Sequence, residues 1–375
     1  MVLFVQSVPH AHHPRHHYRL AAAVRAAGYD ARTLAPQDLT PGQQDAAPVE
    51  YLPVRRSRPG RMLSGPLSVW KAARRRPAAI HVVSLDLLPW AVLLRLTGRF
   101  KVLYDSNEEY HSMMLIKEWL PVRSRAIVGR FVYWAEPWLA ARLDAATTAL
   151  PATQAKFEAA GVDSTLVRNF PPASLASGCE RGEPAWDILL GGTVFEDTIP
   201  VLAQTAVELA RLGMPDVRWI VAARSYGPRE QAMLVSALDR AGVRDRFELR
   251  YNVPFIEMKD LMSRSRVGFV PYPGDVNYSA RIPIRIFEYM ACGLPFVASD
   301  LATTAEFTRG HDVADLVPAG DAVGYAEALA ALLRDPERRA DMSRRGPIVA
   351  AERYNWDRES RKLAALYERV LGAPS

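Results

Sequence analysis

Short apolar runs alternate with longer amphipathic stretches through both halves of this chain, the pattern of parallel sheets covered by helices. In the first half the runs predict strands at 2–6, 79–84, 101–104, 147–150 and 165–167, with helices at 18–27, 87–96, 123–143 and 153–160. Periodicity lapses over 170–186, where PPASLASGCERGEPA clusters Pro, Ser and Gly, so a domain linker is expected there. The second half restarts with a strand at 187–190, the loop GGTVFEDT and a helix at 200–212, and strands recur at 217–222, 247–250, 267–270, 296–299 and 315–317. Two doubly wound α/β domains are therefore predicted, 1–172 and 173–353. A ligand between two such domains would meet the carboxyl ends of both sheets, where open parallel sheets bind ligands.

The densest segment is ARIPIRIFEYMACGLPFVASD, 280–300. Pro283 suits a first helical turn, Gly293 a left-handed exit, and 294–299 a buried parallel strand. Arg285 and Glu288, three residues apart, share one helix face near the positive end of the dipole. That pairing can hold an anion on Arg285 and a sugar diol on Glu288. Taken alone it is also what an exposed ion pair looks like; the apolar residues in register around it favour a site.

A length of 375 residues, 49% of them hydrophobic, suits two buried cores, and 23% charged residues without low complexity indicate a globular protein. The two cysteines, Cys179 and Cys292, suggest no disulfide framework, which makes a reducing cytoplasm the expected location. The start of the chain lacks the basic segment and cleavage site of a secretory signal, and the apolar run 87–94 is far too short to span a bilayer.

The net charge of +6 is uneven: residues 1–180 hold 22 Lys and Arg against 14 Asp and Glu, a surplus of eight, and the rest has a deficit of two. Arg55, Arg56, Arg58, Arg61, Lys71, Arg74, Arg75 and Arg76 carry much of it. A solvated face accounts for this as well as attraction to an anionic membrane, at the inner face of which the protein would sit, or to a phosphorylated acceptor. Nucleic acid is excluded as a partner because no binding motif or interleaved aromatics accompany the charge.

The 280–300 segment resembles the donor-binding helix of retaining nucleotide-sugar glycosyltransferases of family four, where "PxKxFEYMAxGxPVVAS" recurs. LYDSNEEY (103–110) resembles that family's "VYDxHEDYP" box, and His13, Pro14 and Arg15 its "DPRVxREA" start. His81 and Asp86 fit its "HxHD" region, and Arg168 to Pro172, PAGD (318–321) and YNW (354–356) its later features, so the likeness runs in order along nearly the whole chain. It implies a GT-B fold, two Rossmann-like doubly wound domains facing a cleft. The terminal helix, 354–375, is expected to pack back on the N-terminal domain. It implies transfer of a sugar from a nucleotide-diphosphate donor, UDP- or GDP-linked, to an acceptor hydroxyl, with retention of configuration and without a metal. The acceptor expected is a natural-product or envelope glycan precursor. No separate cofactor is expected. The alternatives are a non-catalytic sugar-nucleotide-binding partner and a nucleotide-sugar epimerase.

By the same resemblance Arg285 binds the diphosphate and Glu288 the ribose. The family's commoner form has a second glutamate where this chain has Ala280. Asn107 replaces the histidine of the family box and cannot titrate near neutral pH, while Glu108 keeps the acidic position. These four, Arg285, Glu288, Asn107 and Glu108, are the catalytic candidates.

Gly191, Gly192 and Thr193, between a strand and a helix, can offer amides to phosphates. The family's basic pair is absent beside them, and Arg224 is the candidate substitute. Val253 and Ile284 complete the donor-binding set.

His10, His12, His13, His16 and His17 crowd one loop without ligand spacing. His13, Arg15 and His16 are instead assigned to the acceptor, with plain polar loop residues the alternative. The aromatic and basic stretch 113–138 is read as the buried side of a helix, a membrane-surface or acceptor element being the alternative.

Overall fold

A computed structural model describes residues 1–7, 11, 13, 15–36, 47–53, 58–115, 117, 119–224, 227–274 and 282–374, without the side chains of 58–59, 61–64, 177–178, 224 and 255–256. The chain divides into two compact units, Met1–Asn169 with Trp356–Ser375, and Phe170–Asn355.

The first unit is built on strands β1 (Val2–Val5), β2 (Ala31–Pro36), β3 (Val49–Leu52), β4 (Ala79–Val82), β5 (Lys101–Ser106), β6 (Ala145–Thr148) and β7 (Ser164–Leu166). All pair in parallel, in the order β3-β2-β1-β4-β5-β6-β7, so the winding reverses between β1 and β4. A π turn, His16–Ala21, runs into α1 (Ala22–Ala26), and α2 (Arg58–Arg74), α3 (Leu88–Arg95), α4 (Tyr110–Leu115), α5 (Val122–Ala140) and α6 (Pro151–Ala159) follow. β2 and β3 were not expected from the pattern: ARTLAP is poor in β-branched residues, and VEYL sits at the sheet edge with an exposed tyrosine.

The C-terminal helix (Trp356–Leu371) belongs to the first unit, where Leu363, Leu366 and Tyr367 join Val2, Phe4 and Leu103 in one core. Glu359 accepts from the Arg168 amide at 2.8 Å, and the Tyr367 hydroxyl lies 2.8 Å from Nδ1 of His81. Burial drives the His81 pKa down to about 4, with Asp105 opposing. A histidine whose pKa falls on folding favours the folded state above its unfolded value and loses that contribution as pH drops through the window. We expect the melting temperature to fall as pH goes from about 6.5 to 4, a change worth about 3 kcal/mol. His81→Gln should flatten this slope; an equal slope in both proteins would assign it to another group.

The second unit carries β8 (Trp186–Thr193), β9 (Trp219–Arg224), β10 (Phe247–Tyr251), β11 (Ser265–Val270), β12 (Phe296–Ser299) and β13 (Ala314–Val317), again all parallel, in the order β10-β9-β8-β11-β12-β13. Its helices are α7 (Thr198–Arg211), α8 (Pro228–Arg240), α9 (Phe255–Ser263), α10 (Ile284–Ala291), α11 (Ala302–Thr308), α12 (Ala322–Arg334) and α13 (Pro336–Arg353). Strands such as WDILL and FVAS are buried on both faces, which is why continuous apolar runs betrayed them.

Two expectations are corrected here. The segment read as a linker is packed into the second unit: Phe170, Leu175, Cys179 and Trp186 are buried in its core. Cys179 and Cys292 are joined in a disulfide, with Cα atoms 5.0 Å apart across 113 residues of sequence, where the two cysteines had suggested no disulfide framework.

Candidate functional site

Helix α10 follows Pro283, whose fixed φ of −69° and missing N–H suit the boundary. It ends before Gly293, at φ +59°, where a Cβ would meet the Ser343 carbonyl at 2.8 Å, so the left-handed exit and the close approach both demand glycine. Ile286, Phe287, Tyr289 and Met290 are buried, and Phe287 stacks edge-on to Phe170 and Phe307. This packing fixes the rotation of the helix and sets Arg285 and Glu288.

Tyr289, four residues after Arg285, takes the Gly191 amide at 3.0 Å and donates to the Leu189 carbonyl at 3.1 Å, which fastens α10 to the carboxyl end of β8. Burial pushes its hydroxyl pKa far up, so it stays protonated. Sequence reading passed over this role; the i+4 spacing from Arg285 was its visible sign. A Cβ at Gly191 would lie 3.3 Å from Arg285 Nε, and one at Gly192, where φ is +106°, would lie 3.8 Å from Arg285 Nη2. The two glycines therefore leave the space that the guanidinium occupies.

Arg285 Nη1 stands 2.5 Å from Glu288 Oε2, with side chains 19% and 8% exposed. Both atoms are buried, and neither makes a well-aligned hydrogen bond to any described residue. The two side chains therefore meet each other's charge, and among the described residues these two atoms have no further aligned partner. Thr193 ends β8, half-buried, and Val253 and Ile284 are also half-buried, Val253 packing on the core around α10. Arg224 ends β9, its side chain outside the described residues, as is all of Ala280.

In the first unit Asn107 follows β5, and its Oδ1 accepts from the Tyr110 hydroxyl at 3.0 Å. Glu108 is half-buried beside it. Two acceptor assignments are corrected. Arg15 is 2% exposed and fully engaged: Nε and Nη2 bind Asp105 at 2.8 and 2.7 Å, and Nη1 binds the Val167 carbonyl and Asn169 Oδ1 at 2.7 and 2.8 Å. It ties the β1–α1 connection to β5 and the end of β7 with four of its five N–H donors, and its burial closes it to an acceptor. His16 is buried 3.4 Å from Asp105, so it too is part of this anchor.

His13 is half-buried, stacks on His16 with ring centres 4.2 Å apart, and accepts from the Arg15 amide. His17 is buried 3.2 Å from Thr33 Oγ1, while His10, His12 and Pro14 lie outside the described residues. In the basic cluster Arg74 stacks on Trp70 and Arg75 pairs with Glu50; Arg55 and Arg56 lie outside the described residues, as do the side chains of Arg58 and Arg61.

A relative from Mycolicibacterium smegmatis, a phosphatidyl-myo-inositol mannosyltransferase, is 29% identical over 58% of this chain and 55% of its own length. The chain spans between 24% and 55% of the length of the curated relatives it matches first. Sucrose-phosphate synthase from Thermosynechococcus elongatus has the same fold, with a TM-score of 0.74 at 16% identity over 99% of both chains. Anabaena HepE in complex with UDP and glucose has a TM-score of 0.70 at 16% identity over 98% of this chain and 99% of its own. The fold is thus that of the GT-B glycosyltransferases. The model for the glycosyl transferase 4-like domain matches residues 14–173 and that for glycosyl transferases group 1 matches 187–335, so the chain belongs to the group 1 glycosyltransferases.

Proposed function

We propose that this protein transfers a sugar from a nucleoside diphosphate sugar to an acceptor hydroxyl, with retention of configuration and without a metal ion. The observation that carries the reading is the buried Arg285–Glu288 pair, set against the glycines at the carboxyl end of β8. A diphosphate would satisfy the guanidinium, and a ribose diol the carboxylate. The amino end of α10 adds positive potential.

In the reaction the bond from the anomeric carbon to the diphosphate oxygen breaks and a bond to the acceptor oxygen forms. The acceptor's proton leaves with the diphosphate. Negative charge grows on the leaving group, and Arg285 stabilises it where it develops. Asn107 can orient a sugar hydroxyl but cannot act as a base near neutrality.

The donor is UDP- or GDP-linked; the Anabaena fold neighbour holds UDP and glucose. For the acceptor, the name of the mycolicibacterial relative favours a polyol ring, free or lipid-borne, among natural-product and envelope glycan precursors.

The test is donor turnover by chelator-treated protein, with and without added magnesium, manganese or zinc, and the anomeric configuration of the product read by NMR. Turnover that vanishes with chelator and returns with one metal would overturn metal independence. Glu288→Ala should weaken donor binding by roughly ten- to a hundredfold in calorimetry, as loss of hydrogen bonds to a charged group predicts. Unchanged binding by a folded variant would remove Glu288 from the site, and donor binding without turnover on any acceptor would leave a non-catalytic subunit.

A further inference from the structure

The stretch 113–138 carries the largest surprise in the molecule. Ile127, Phe131, Trp134 and Trp138 recur at the spacing of one helix face on α5, yet that face points outward: they are 71%, 70%, 66% and 57% exposed. Ile116 and Glu118 of the same stretch lie outside the described residues. The inner side of α5 is built from small or polar residues instead. Gly129 lies where a Cβ would come 3.0 Å from the His111 carbonyl, and Glu136 is buried, taking Ser106 Oγ at 2.6 Å, Tyr104 OH at 3.0 Å and Lys156 Nζ at 2.9 Å. The expectation of a buried stripe is therefore inverted. A soluble surface rarely leaves so continuous an aromatic stripe in water.

We propose that the outer face of α5 is a docking surface for an anionic lipid bilayer. The charge around the stripe selects this occupant. Arg123, Arg130 and Arg142 are exposed on α5 and just beyond it, and the one acid of the helix, Glu136, is buried and neutralised by Lys156. Arg142 lies over the Trp138 ring at 3.4 Å, so guanidinium and indole occupy the same level, as they do at the headgroup boundary.

The apolar surface extends beyond α5. Leu93 and Leu96 are exposed on and next to α3, which packs on α5, and basic Arg95 and Arg99 are close by in sequence. Trp119 and Val122 are also exposed, at the entry to α5. An open trough of about 1220 Å³ beside Trp134 and Trp138 reaches Lys156 on α6. A self-association through this face would set arginines against arginines, which disfavours a second copy as the occupant. Aromatic side chains that enter the acyl boundary while arginines meet anionic headgroups satisfy both features at once. No helix among the described residues is long and apolar enough to cross a membrane, so the contact lies on the bilayer plane. The inference does not depend on the reaction and is tested without it.

The full chain would be floated with vesicles of phosphatidylcholine alone and of equal parts phosphatidylcholine and phosphatidylglycerol, with indole emission recorded. We expect flotation and a blue shift with the anionic vesicles. Trp134→Ser with Trp138→Ser should lower partition at least about tenfold, and Arg130→Gln and Arg142→Gln about fivefold each on the anionic vesicles alone. These side chains are exposed, so melting should be unchanged. If a variant fails to fold, wild-type flotation and quenching of its emission by brominated lipid decide the matter. Wild-type protein that stays with the solvent at low salt would overturn the proposal. So would a dimer in light scattering that the tryptophan variant converts to monomer, since the stripe would then be an interface between copies.

Discussion

Arg285→Ala should lower turnover with a nucleoside diphosphate sugar about a hundred- to a thousandfold, the usual loss when a charge stabiliser at the reacting centre is removed. The effect should fall on kcat more than on donor affinity, because charge grows on the diphosphate only as the glycosidic bond breaks. Arg285→Lys keeps the positive charge but loses the planar fork, so it should retain part of the activity. Alanine also strands the buried Glu288 carboxylate, whose ion-pair partner at 2.5 Å is this guanidinium. The melting temperature must therefore be read alongside the rates, and a fall in turnover counts only in a variant that remains folded. Equal turnover by the wild type and a folded Ala variant would take Arg285 out of the chemistry.

The difference between what was legible and what was not follows the range of the interactions. β8, β9, β11 and β12 are buried on both faces, so their apolar runs stand out, and Pro283 and Gly293 mark the ends of α10 by rules that need no tertiary context. The Arg285–Glu288 pair is one turn long and was visible for the same reason. Its setting was less so: the approach of Gly191 and Tyr289 to Arg285 joins positions about a hundred residues apart.

Where the reading failed, a local pattern had two physical solutions. Helical spacing of Ile127, Phe131, Trp134 and Trp138 announces an apolar face but not which way it points. That was decided by Gly129 and Glu136, which fit the inner side of α5 through close approach and a buried polar network. Arg15 sits where a ligand-binding arginine could, and its true partner, Asp105, is 90 residues distant in sequence. A lone pair of cysteines 113 residues apart likewise has no spacing signal.

Asp105→Ala should cost the first unit about 3 to 5 kcal/mol, the usual penalty for removing one member of a buried ion pair. Asp105 is fully buried and takes two bonds from Arg15 and one from Thr147 Oγ1 at 2.6 Å. Without the carboxylate, the Arg15 guanidinium remains buried with only the Val167 carbonyl and Asn169 opposite one nitrogen. Against a typical total of about 5 to 15 kcal/mol, such a loss should lower melting by roughly 10 °C. Burial alone would raise the Asp105 pKa, but the charge and hydrogen bonds of Arg15 overcome it and hold the carboxyl well below its ordinary range. A group depressed in this way contributes stability above its unfolded pKa and loses it as pH falls below, so the wild type should keep this contribution down to about pH 4. Replacing both partners with apolar residues, Arg15→Met with Asp105→Leu, should recover part of what Asp105→Ala loses, because no unpaired charge then remains. Circular dichroism melts of the three proteins separate the outcomes, and a single variant that melts with the wild type would show that the pair does not anchor the β1–α1 connection.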